Sequence, residues 1–334
     1  MALVISIGAD PEVFLKNKKT GQIVSAHDLM PGTKEEPHKV QSGAIQVDGL
    51  AAEFNIDPAL DANQFTTNIQ TVMGELQKQV GNDYEFAIQP TAMFDEGYFK
   101  SLPEFNRTLG CVPDWNGWTG QLNDKPDGDV YQRAAGGHVH IGWGKNMDPM
   151  DPMHIEDCAK VARQLDYYLG MYSLHWDKDV ERRKMYGKAG CFRPKEYGME
   201  YRTLSNAWLL SPKLQKWVFN AAYKGFKDLI NGDAVEDKLK DVCVDIINNS
   251  EEWWKTKKLG LTGMTELNQP PPLPKPHDPN KPVFPTDQLI IGLRKKFGFT
   301  DHMANIYIEA AEEGNTEAIM KCNAVIGHEY FTKE

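Results

Sequence analysis

Two histidines separated by one residue stand in the run Ala-Gly-Gly-His-Val-His-Ile-Gly at 135–142. In a β-strand, alternate side chains share a face, so His138 and His140 would point the same way while Val139 and Ile141 face an apolar core. Imidazole is a common metal ligand, and glycines let a bulky ligand approach the backbone. The run therefore predicts a ligand site, the alternative being a strand whose histidines satisfy only local hydrogen bonds.

Carboxylates show the same two-residue spacing in two segments nearer the N-terminus. Asp10 and Glu12 form one pair, and Glu53 shares a strand face with Asn55 in the other. A carboxylate in an apolar strand needs a partner that offsets the loss of its hydration. Pro11 is expected at an edge strand or its rim rather than at a central position of a sheet. The alternative is that these acids are solvated, in a turn or on a polar outer face.

A third kind of polar pair is Glu200 with Arg202, again two residues apart. Upstream lie Lys188, Arg193 and Lys195 in a glycine-containing basic segment. Guanidinium groups match phosphate oxygens in a bidentate way, and lysines add point charge. The alternative is that Glu200 and Arg202 pair with strand neighbours and the upstream charges are solvated.

The four segments together predict one site rather than four separate features. Their acids and imidazoles are oxygen and nitrogen ligands without thiolate, a set suited to Mg²⁺ or Mn²⁺. Their arginines and lysines suit a polyphosphate. The simplest joint interpretation is a metal–nucleotide site on the open face of an antiparallel sheet. The chain has neither a GxxxxGK[ST] nor a GxGxxG motif, which disfavours a P-loop or Rossmann nucleotide site.

The elements that must position these residues are short strands followed by amphipathic helices. Apolar spacing predicts a helix over 65–80, and Asp151-Pro152 and Ser211-Pro212 each carry the pattern of an N-cap followed by a first-turn proline. Residues 235–258 are also predicted to be helical. Residues 95–130 show no period, which predicts a long binding loop or lid. Strands are predicted in the first 60 residues, at Leu3–Ile7, Val13–Lys16, Gln22–Ser25, Ile45–Val47 and Ala51–Ile56.

Composition limits the class of protein. The chain has 334 residues, 41% of them hydrophobic and 25% charged, as in ordinary globular proteins. Its formal net charge of −10 argues against broad electrostatic binding to nucleic acid. No apolar stretch is long enough for a membrane span, and the N-terminus lacks the basic region of a signal peptide. The 5 cysteines, without a CxxC pair, fit reduced thiols in the cytoplasm.

Four motifs in consistent order over about residues 1–230 resemble the phage-type COOH–NH2 ligases (type 2), a carboxylate–amine ligase branch of the glutamine synthetase and γ-glutamylcysteine ligase superfamily. The motifs are GADPE at 8–12, DGLAAEFN at 48–55, GGHVHIG at 136–142 and YGKAGCFRPKEYGMEYRTLSNAWL at 186–209.

The resemblance implies an α+β fold with a curved antiparallel sheet, like the catalytic domain of glutamine synthetase, and helices packed on one face. It implies a catalytic domain over 1–234. Residues 235–334 match no motif of the family, and we expect them to form a helical C-terminal extension with a proline-rich connector at 269–285.

The resemblance also implies the chemistry. ATP would phosphorylate a substrate carboxylate, and an amine would attack the acyl phosphate to give an amide. The implied metal ligands, for Mg²⁺ or Mn²⁺, are Glu12, Glu53, His138, His140 and Glu200. The implied catalytic residues are Arg193, Arg202 and Lys195, and Lys188 joins these three in the implied nucleotide-binding set. GADPE departs from the Glu-X-Glu strand of the synthetases, which makes Asp10 a weaker ligand candidate than Glu12.

The expected partners are a small-molecule or peptide carboxylate and an amine, without nucleic acid or membrane, and an oligomer is compatible with the superfamily. The expected location is the cytoplasm, that of the host if the protein is phage-encoded. Two other functions stay open at this point. One is a metal-dependent hydrolase that uses the histidines and carboxylates. The other is a non-catalytic phage structural or binding protein of the same fold.

Overall fold

The structure is a computed structural model that describes residues 4–107, 113–124, 131–234, 240–250, 286–299 and 316–326, with residues 304, 307, 308 and 311. The proline-rich connector predicted at 269–285 lies outside the described residues, as does the predicted helix beyond residue 250. The boundary predicted between residues 234 and 235 stays a prediction.

The described residues form an α+β structure around a large antiparallel sheet. Its 11 strands include the path β3-β4-β5-β1-β11-β13-β12-β8-β9, with β2 and β6 also pairing with β1, while β7 and β10 form a separate ribbon. The strands are β1 (Ser6–Asn17), β2 (Ile23–Val24), β3 (His38–Val40), β4 (Gly43–Asp48), β5 (Ala51–Ile56), β6 (Tyr84–Ala87), β7 (Thr91–Met93), β8 (Trp115–Asn116), β9 (Gln121–Leu122), β10 (Gln132–Ala134), β11 (Gly137–Gly142), β12 (Cys191–Lys195) and β13 (Gly198–Tyr201).

Helices cover the apolar face of this sheet. Helices α1, α4 and α7 pack against strands of this sheet, and α7 also packs against both α1 and α4. The helices share one core with strand residues such as Val13 and Val139. The helices are α1 (Ala62–Val80), α2 (Glu96–Ser101), α3 (Glu104–Arg107), α4 (Pro152–Leu165), α5 (Met171–Ser173), α6 (Glu181–Met185), α7 (Pro212–Ile230), α8 (Lys240–Asn248), α9 (Thr286–Phe297) and α10 (Thr316–Ile326), with a π-helical turn at Asp166–Gly170 and a 3-10 helix at Asn206–Leu210.

The predicted helix starts are confirmed. The Asp151 carboxylate accepts a hydrogen bond from the amide of Met153, and the Ser211 hydroxyl accepts one from that of Leu214. In both cases proline follows the cap, where its missing N–H costs nothing. Helix α1 extends the predicted 65–80 segment back to the cap residue Asp61.

One continuous strand, β1, replaces the two strands predicted around Pro11, and it lies inside the sheet rather than at an edge. The placement expected for Pro11 was therefore wrong. The amide of Glu12 donates to the carbonyl of Gly136 on the β11 side. Because backbone groups alternate sides along a strand, position 11 faces the β5 side, where the paired residues begin only at Glu12. The missing N–H of proline is tolerated for this reason.

The long loop predicted over 95–130 was also wrong for the residues that the structure describes. Asp95 caps α2, α3 follows, and β8 and β9 add to the edge of the main sheet beside β12. Each element is too short to leave a periodic pattern in the sequence. Residues 108–112 and 125–130 lie outside the described part.

Two composition-based expectations can be compared with the structure. Among the described cysteines, Cys158, Cys191, Cys243 and Cys322 are buried and free of disulfides. No helix in the described residues is both long enough and apolar enough to cross a membrane.

Candidate metal and anion site

Strand register brings the predicted site residues together on one face of the sheet. Asp10 lies opposite His138, and His140 lies opposite Glu200. On the outer flanks, Glu12 pairs with Glu53 and Arg193 with Glu200. Their order across β5, β1, β11, β13 and β12 forms a polar row on the face opposite the helix-covered core.

The centre of the row is a candidate cation site formed by Asp10, His140 and Glu200. These residues each offer a ligand atom, and the three atoms lie within 4.8 Å of one another. Three buried atoms here make no aligned hydrogen bond to the described residues: Asp10 Oδ1, His140 Nε2 and Glu200 Oε2. Their contacts are ion pairs only, with Asp10 Oδ1 2.9 Å from His140 Nε2 and Glu200 Oε2 2.8 Å from Lys195 Nζ. Buried polar atoms are rarely left unsatisfied in folded proteins. The donor set therefore fits a divalent cation bound by oxygen and nitrogen.

The two central carboxylates are held in the charged form. Burial raises the pKa of Glu200, but Arg202, a hydrogen bond from His138 and Lys195 outweigh it, so that its pKa lies well below the ordinary value. Burial likewise raises the pKa of Asp10, but the charge of His140 and the close contacts of both histidines outweigh burial, so that the pKa lies below its ordinary value. Both groups are therefore charged over the physiological pH range, as cation ligands must be.

His138 lies deeper than His140 and is surrounded by the chain. Its Nδ1 lies 3.3 Å from Asp10, 3.2 Å from Glu200 and 3.2 Å from the Arg202 guanidinium. A Cβ on Gly136 would come within 2.1 Å of its Nε2, so only glycine fits there. Burial and Arg202 lower the pKa of His138, but hydrogen bonds to Asp10 and Glu200 raise it above its ordinary value overall. Of the two predicted imidazole ligands, the geometry favours His140.

His140 is positioned by Tyr197, in the turn between β12 and β13. The two rings stack with centroids 5.9 Å apart, and the Tyr197 hydroxyl hydrogen-bonds His140 Nδ1. On the other side of the ring, Nε2 lies 2.9 Å from Asp10. A partner on one ring nitrogen fixes the orientation in which the other is offered to a ligand.

An acidic group lies at the β5 end of the row. Glu12 accepts a hydrogen bond from the amide of Gly136 at 2.9 Å, and Gln46 donates one to Glu53 at 2.8 Å. Burial and the neighbouring Asp10, Glu12 and Asp48 raise the pKa of Glu53 well above its ordinary value. Burial and Asp48 also raise that of Glu12. This end carries more negative charge than its protein partners offset.

A basic group, which we call the basic end, lies at the opposite side on β12 and β13. Lys195 Nζ is 2.8 Å from Glu200, and Arg202 also pairs with Glu200. Asp114 lies between the arginines, 3.2 Å from Arg193 and 2.8 Å from Arg202. Burial lowers the pKa of Arg202, but Glu200 and Asp114 raise it well above its ordinary value overall.

Lys188 is a predicted site residue that lies outside the row, and no described ion pair joins it to the row. Its side chain is exposed in the loop 186–190. The loop packs on the buried Arg182, which donates hydrogen bonds to the carbonyls of Ala135 and Thr203. A Cβ on Gly187 would meet that guanidinium at 2.0 Å.

Several residues of the site were missed from the sequence. Asp10 was considered but left out of the ligand set, because its proline neighbour departs from the family pattern. Asp48 was interpreted only as part of the Asp48-Gly49 turn, so its carboxylate was not considered as a site residue. No sequence signal marks the other members, since only the fold brings them to the site: Lys34, Gln46, Asp114, Arg182 and Tyr197.

Comparison with known families gives one match. No curated protein matches the chain. Residues 129–227, which include β11, β12 and β13, match the family model described as Phage phiEco32-like COOH.NH2 ligase-type 2. The family name denotes a ligase that joins a carboxyl group and an amine. The matched segment thus confirms, over 129–227, the phage-type COOH–NH2 ligase family that the sequence motifs indicate.

Proposed function

We propose that this protein is an ATP-dependent carboxylate–amine ligase that forms an amide through an acyl-phosphate intermediate and requires Mg²⁺ or Mn²⁺. The observation that carries the proposal is the central trio. Asp10, His140 and Glu200 each offer a ligand atom within 4.8 Å of the others, and each has a buried atom that makes no aligned hydrogen bond to the described residues, between an acidic and a basic end. Phosphoryl transfer depends on positioning and charge neutralisation more than on covalent chemistry from the protein, which this arrangement would supply.

In this proposal Asp10, His140 and Glu200 hold a divalent cation, and Glu12 and Glu53 extend the ligand set at the acidic end. A bound cation would neutralise charge on the phosphate oxygens of ATP. The raised pKa values of Glu12 and Glu53 support a positive charge near them, since burial and mutual repulsion disfavour two bare carboxylates. His138 Nδ1 contacts both Asp10 and Glu200 and would keep the two acids aligned.

The basic end would bind the transferred phosphoryl group. Arg193 and Arg202 offer guanidinium donors, and Lys195 adds a point charge. These charges would offset the negative charge on the phosphoryl oxygens during attack by the carboxylate and on the phosphate that leaves when the amine attacks. Lys188, exposed beside them, completes the proposed nucleotide contacts.

The fold supports the proposal in outline. A large antiparallel sheet with helices on one face and an ionisable row on the other is compatible with the curved, glutamine synthetase-like sheet of the superfamily. We propose a small-molecule or peptide acid and an amine as substrates, a cytoplasmic location, and no role for nucleic acid or membrane.

A direct test combines turnover with cation binding. Purified protein with Mg²⁺, ATP and mixed acids and amines should release phosphate, and Mn²⁺ binding should be measurable by calorimetry without nucleotide. Glu200→Gln should weaken Mn²⁺ binding by more than about tenfold, the loss usual for residues that only support ligands. Glu196→Gln is the matched control, because Glu196 is exposed in the same hairpin.

The outcomes separate the alternatives. Because Glu200 is fully buried beside Arg202, circular dichroism must show that the variant is folded, and Asp10→Asn provides a second route to the same loss. Tight Zn²⁺ binding without affinity for ATP would favour the hydrolase. Failure of Mg²⁺-ATP to raise the melting temperature would favour the non-catalytic alternative.

A further inference from the structure

Asp114 has a position that the proposed ligase chemistry does not explain. It precedes β8, is 9% exposed, and lies at the basic end. Its Oδ1 is 3.2 Å from an Arg193 terminal nitrogen and 2.8 Å from Arg202 Nε. Two guanidinium groups therefore converge on one oxygen that belongs to the chain itself. Converging guanidinium groups are the usual protein arrangement for a bound anion.

The contact with Arg202 is electrostatic rather than directional. Arg202 Nε lies close to Asp114, yet it makes no aligned hydrogen bond to any described group. The orientation of Arg202 comes from elsewhere: its guanidinium donates a hydrogen bond to Glu200. Asp114 therefore offsets the charge of Arg202 and contributes little to the orientation of its side chain. In this respect Asp114 differs from a residue that only positions its neighbour.

The charge of Asp114 acts where the ligand anion would bind. Two acids in the described part of the chain contact the basic side chains, and of these Glu200 belongs to the central trio, whereas Asp114 does not. Removing the charge of Glu200 would weaken the cation site. The Asp114 charge instead opposes any anion that approaches Arg193 and Arg202, in a buried setting where water screens poorly.

We propose that Asp114 is an internal anion that competes with the phosphate group of the ligand for Arg193 and Arg202 and so sets the anion selectivity of the site. The inference rests on the proposed function only in placing a phosphate group at these arginines. A bare phosphate meets the charge of Asp114 without compensation. A phosphate that carries a divalent cation brings positive charge that offsets this repulsion. Asp114 thus favours metal-bound polyphosphates over free anions.

The experiment uses Asp114→Asn, which removes the charge and keeps the shape. The backbone carbonyl of residue 114 still accepts from Asn123, and the amide oxygen can still accept from Arg193. We expect inorganic phosphate, titrated by calorimetry at low ionic strength without divalent cations, to bind about tenfold more tightly than to the wild type. The affinity for Mg²⁺-ATP should change less, so the selectivity between the two ligands falls.

Glu196→Gln is the matched control, since it makes the same change in net charge at an exposed site and should leave phosphate affinity unchanged. Asp114→Ala tests whether the amide group of the first variant contributes. Unchanged or weaker phosphate binding in a folded Asp114→Asn would overturn the proposal, weaker binding showing that Asp114 orients the arginines. Absence of Mg²⁺-ATP binding to the wild type would instead count against the ligase, while the phosphate comparison would still decide the role of Asp114.

Discussion

At the scale of single residues, Asp166 is a buried acid whose hydrogen-bond partners among the described residues are all uncharged. It begins the π-helical turn and accepts hydrogen bonds from Trp118 at 2.5 Å, Tyr201 at 2.7 Å and Thr203 at 3.4 Å. Burial raises its pKa to about 7, although these hydrogen bonds lower it in part. Tyr201 follows Glu200 in β13, so its side chain lies on the opposite face of the strand. By accepting a hydrogen bond from Tyr201, Asp166 holds β13 from the face opposite the site.

This environment predicts a pH dependence of stability. Between the ordinary pKa of 3.8 and about 7, folded Asp166 holds a proton that the unfolded chain has released. The free energy of unfolding should therefore fall as pH rises through this window, by about 4 kcal/mol over roughly three pH units at about 1.4 kcal/mol each. Urea unfolding from pH 4 to 8 should show a shallower decline for Asp166→Asn. Equal slopes in both proteins would contradict the prediction, and Glu196→Gln should match the wild type.

The chemistry of single residues was largely predictable, but their partners were not. The two-residue spacing placed His138 with His140, and Glu200 with Arg202, on common faces. It could not show that His140 stacks on Tyr197 or that Asp114 contacts the arginines, because these contacts join residues far apart in the sequence. Which imidazole faces the cation depends on side-chain surroundings that spacing does not encode.

At the scale of elements, β11 depends on close backbone contacts at its start. Gly137 donates from its amide to the carbonyl of Leu204, and its own carbonyl accepts from the indole of Trp208 at 3.0 Å. A Cβ at this position would lie 2.2 Å from the carbonyl oxygen of Ser205. This close approach fixes the strand that carries both histidines against the segment that follows β13.

Substitutions at two glycines should act in opposite directions. Gly137→Ala should lower the free energy of unfolding by about 1–3 kcal/mol, the usual cost of overpacking, since backbone must move to accept the methyl group. Gly74→Ala should raise it by up to about 1 kcal/mol, because Gly74 lies exposed inside α1 with no atom within 4 Å of the added carbon. Urea unfolding measures both, and a neutral Gly137→Ala would show that the close approach is not required.

Elements with strong local signals were predicted well. Caps and apolar spacing defined α1, α4 and α7, because these features arise from neighbouring residues. The central position of β1 and the short elements near Trp115 could not be predicted, because both depend on which strands pair. Pro11 looked like an edge signal, and only the pairing pattern around it makes a central position acceptable.

At the scale of the whole molecule, the sheet separates charge along one face. Glu12, Asp48 and Glu53 lie at one end, with Lys34 2.7 Å from Asp48, while Arg193, Lys195 and Arg202 lie at the other. The central trio lies between them. The sequence predicted that such groups would meet on one face, but their order across the sheet follows from strand order alone. This change from negative to positive charge along the face suits a ligand that carries a cation at one end and a phosphate group at the other.

The two ends should respond differently when one charge is removed from each. Glu53→Gln relieves repulsion among buried acids, so the metal-free variant should melt at a higher temperature than the wild type and gain less from Mn²⁺. Lys195→Gln should keep the response to Mn²⁺ and lose most of the further gain from nucleotide. A ligand at 100 times its Kd adds about 2.7 kcal/mol, enough to resolve in a thermal melt. Lys213→Gln, on the exposed start of α7, controls for loss of a lysine. Equal losses of both responses in the Glu53 and Lys195 variants would mean that the ends do not divide cation from phosphate.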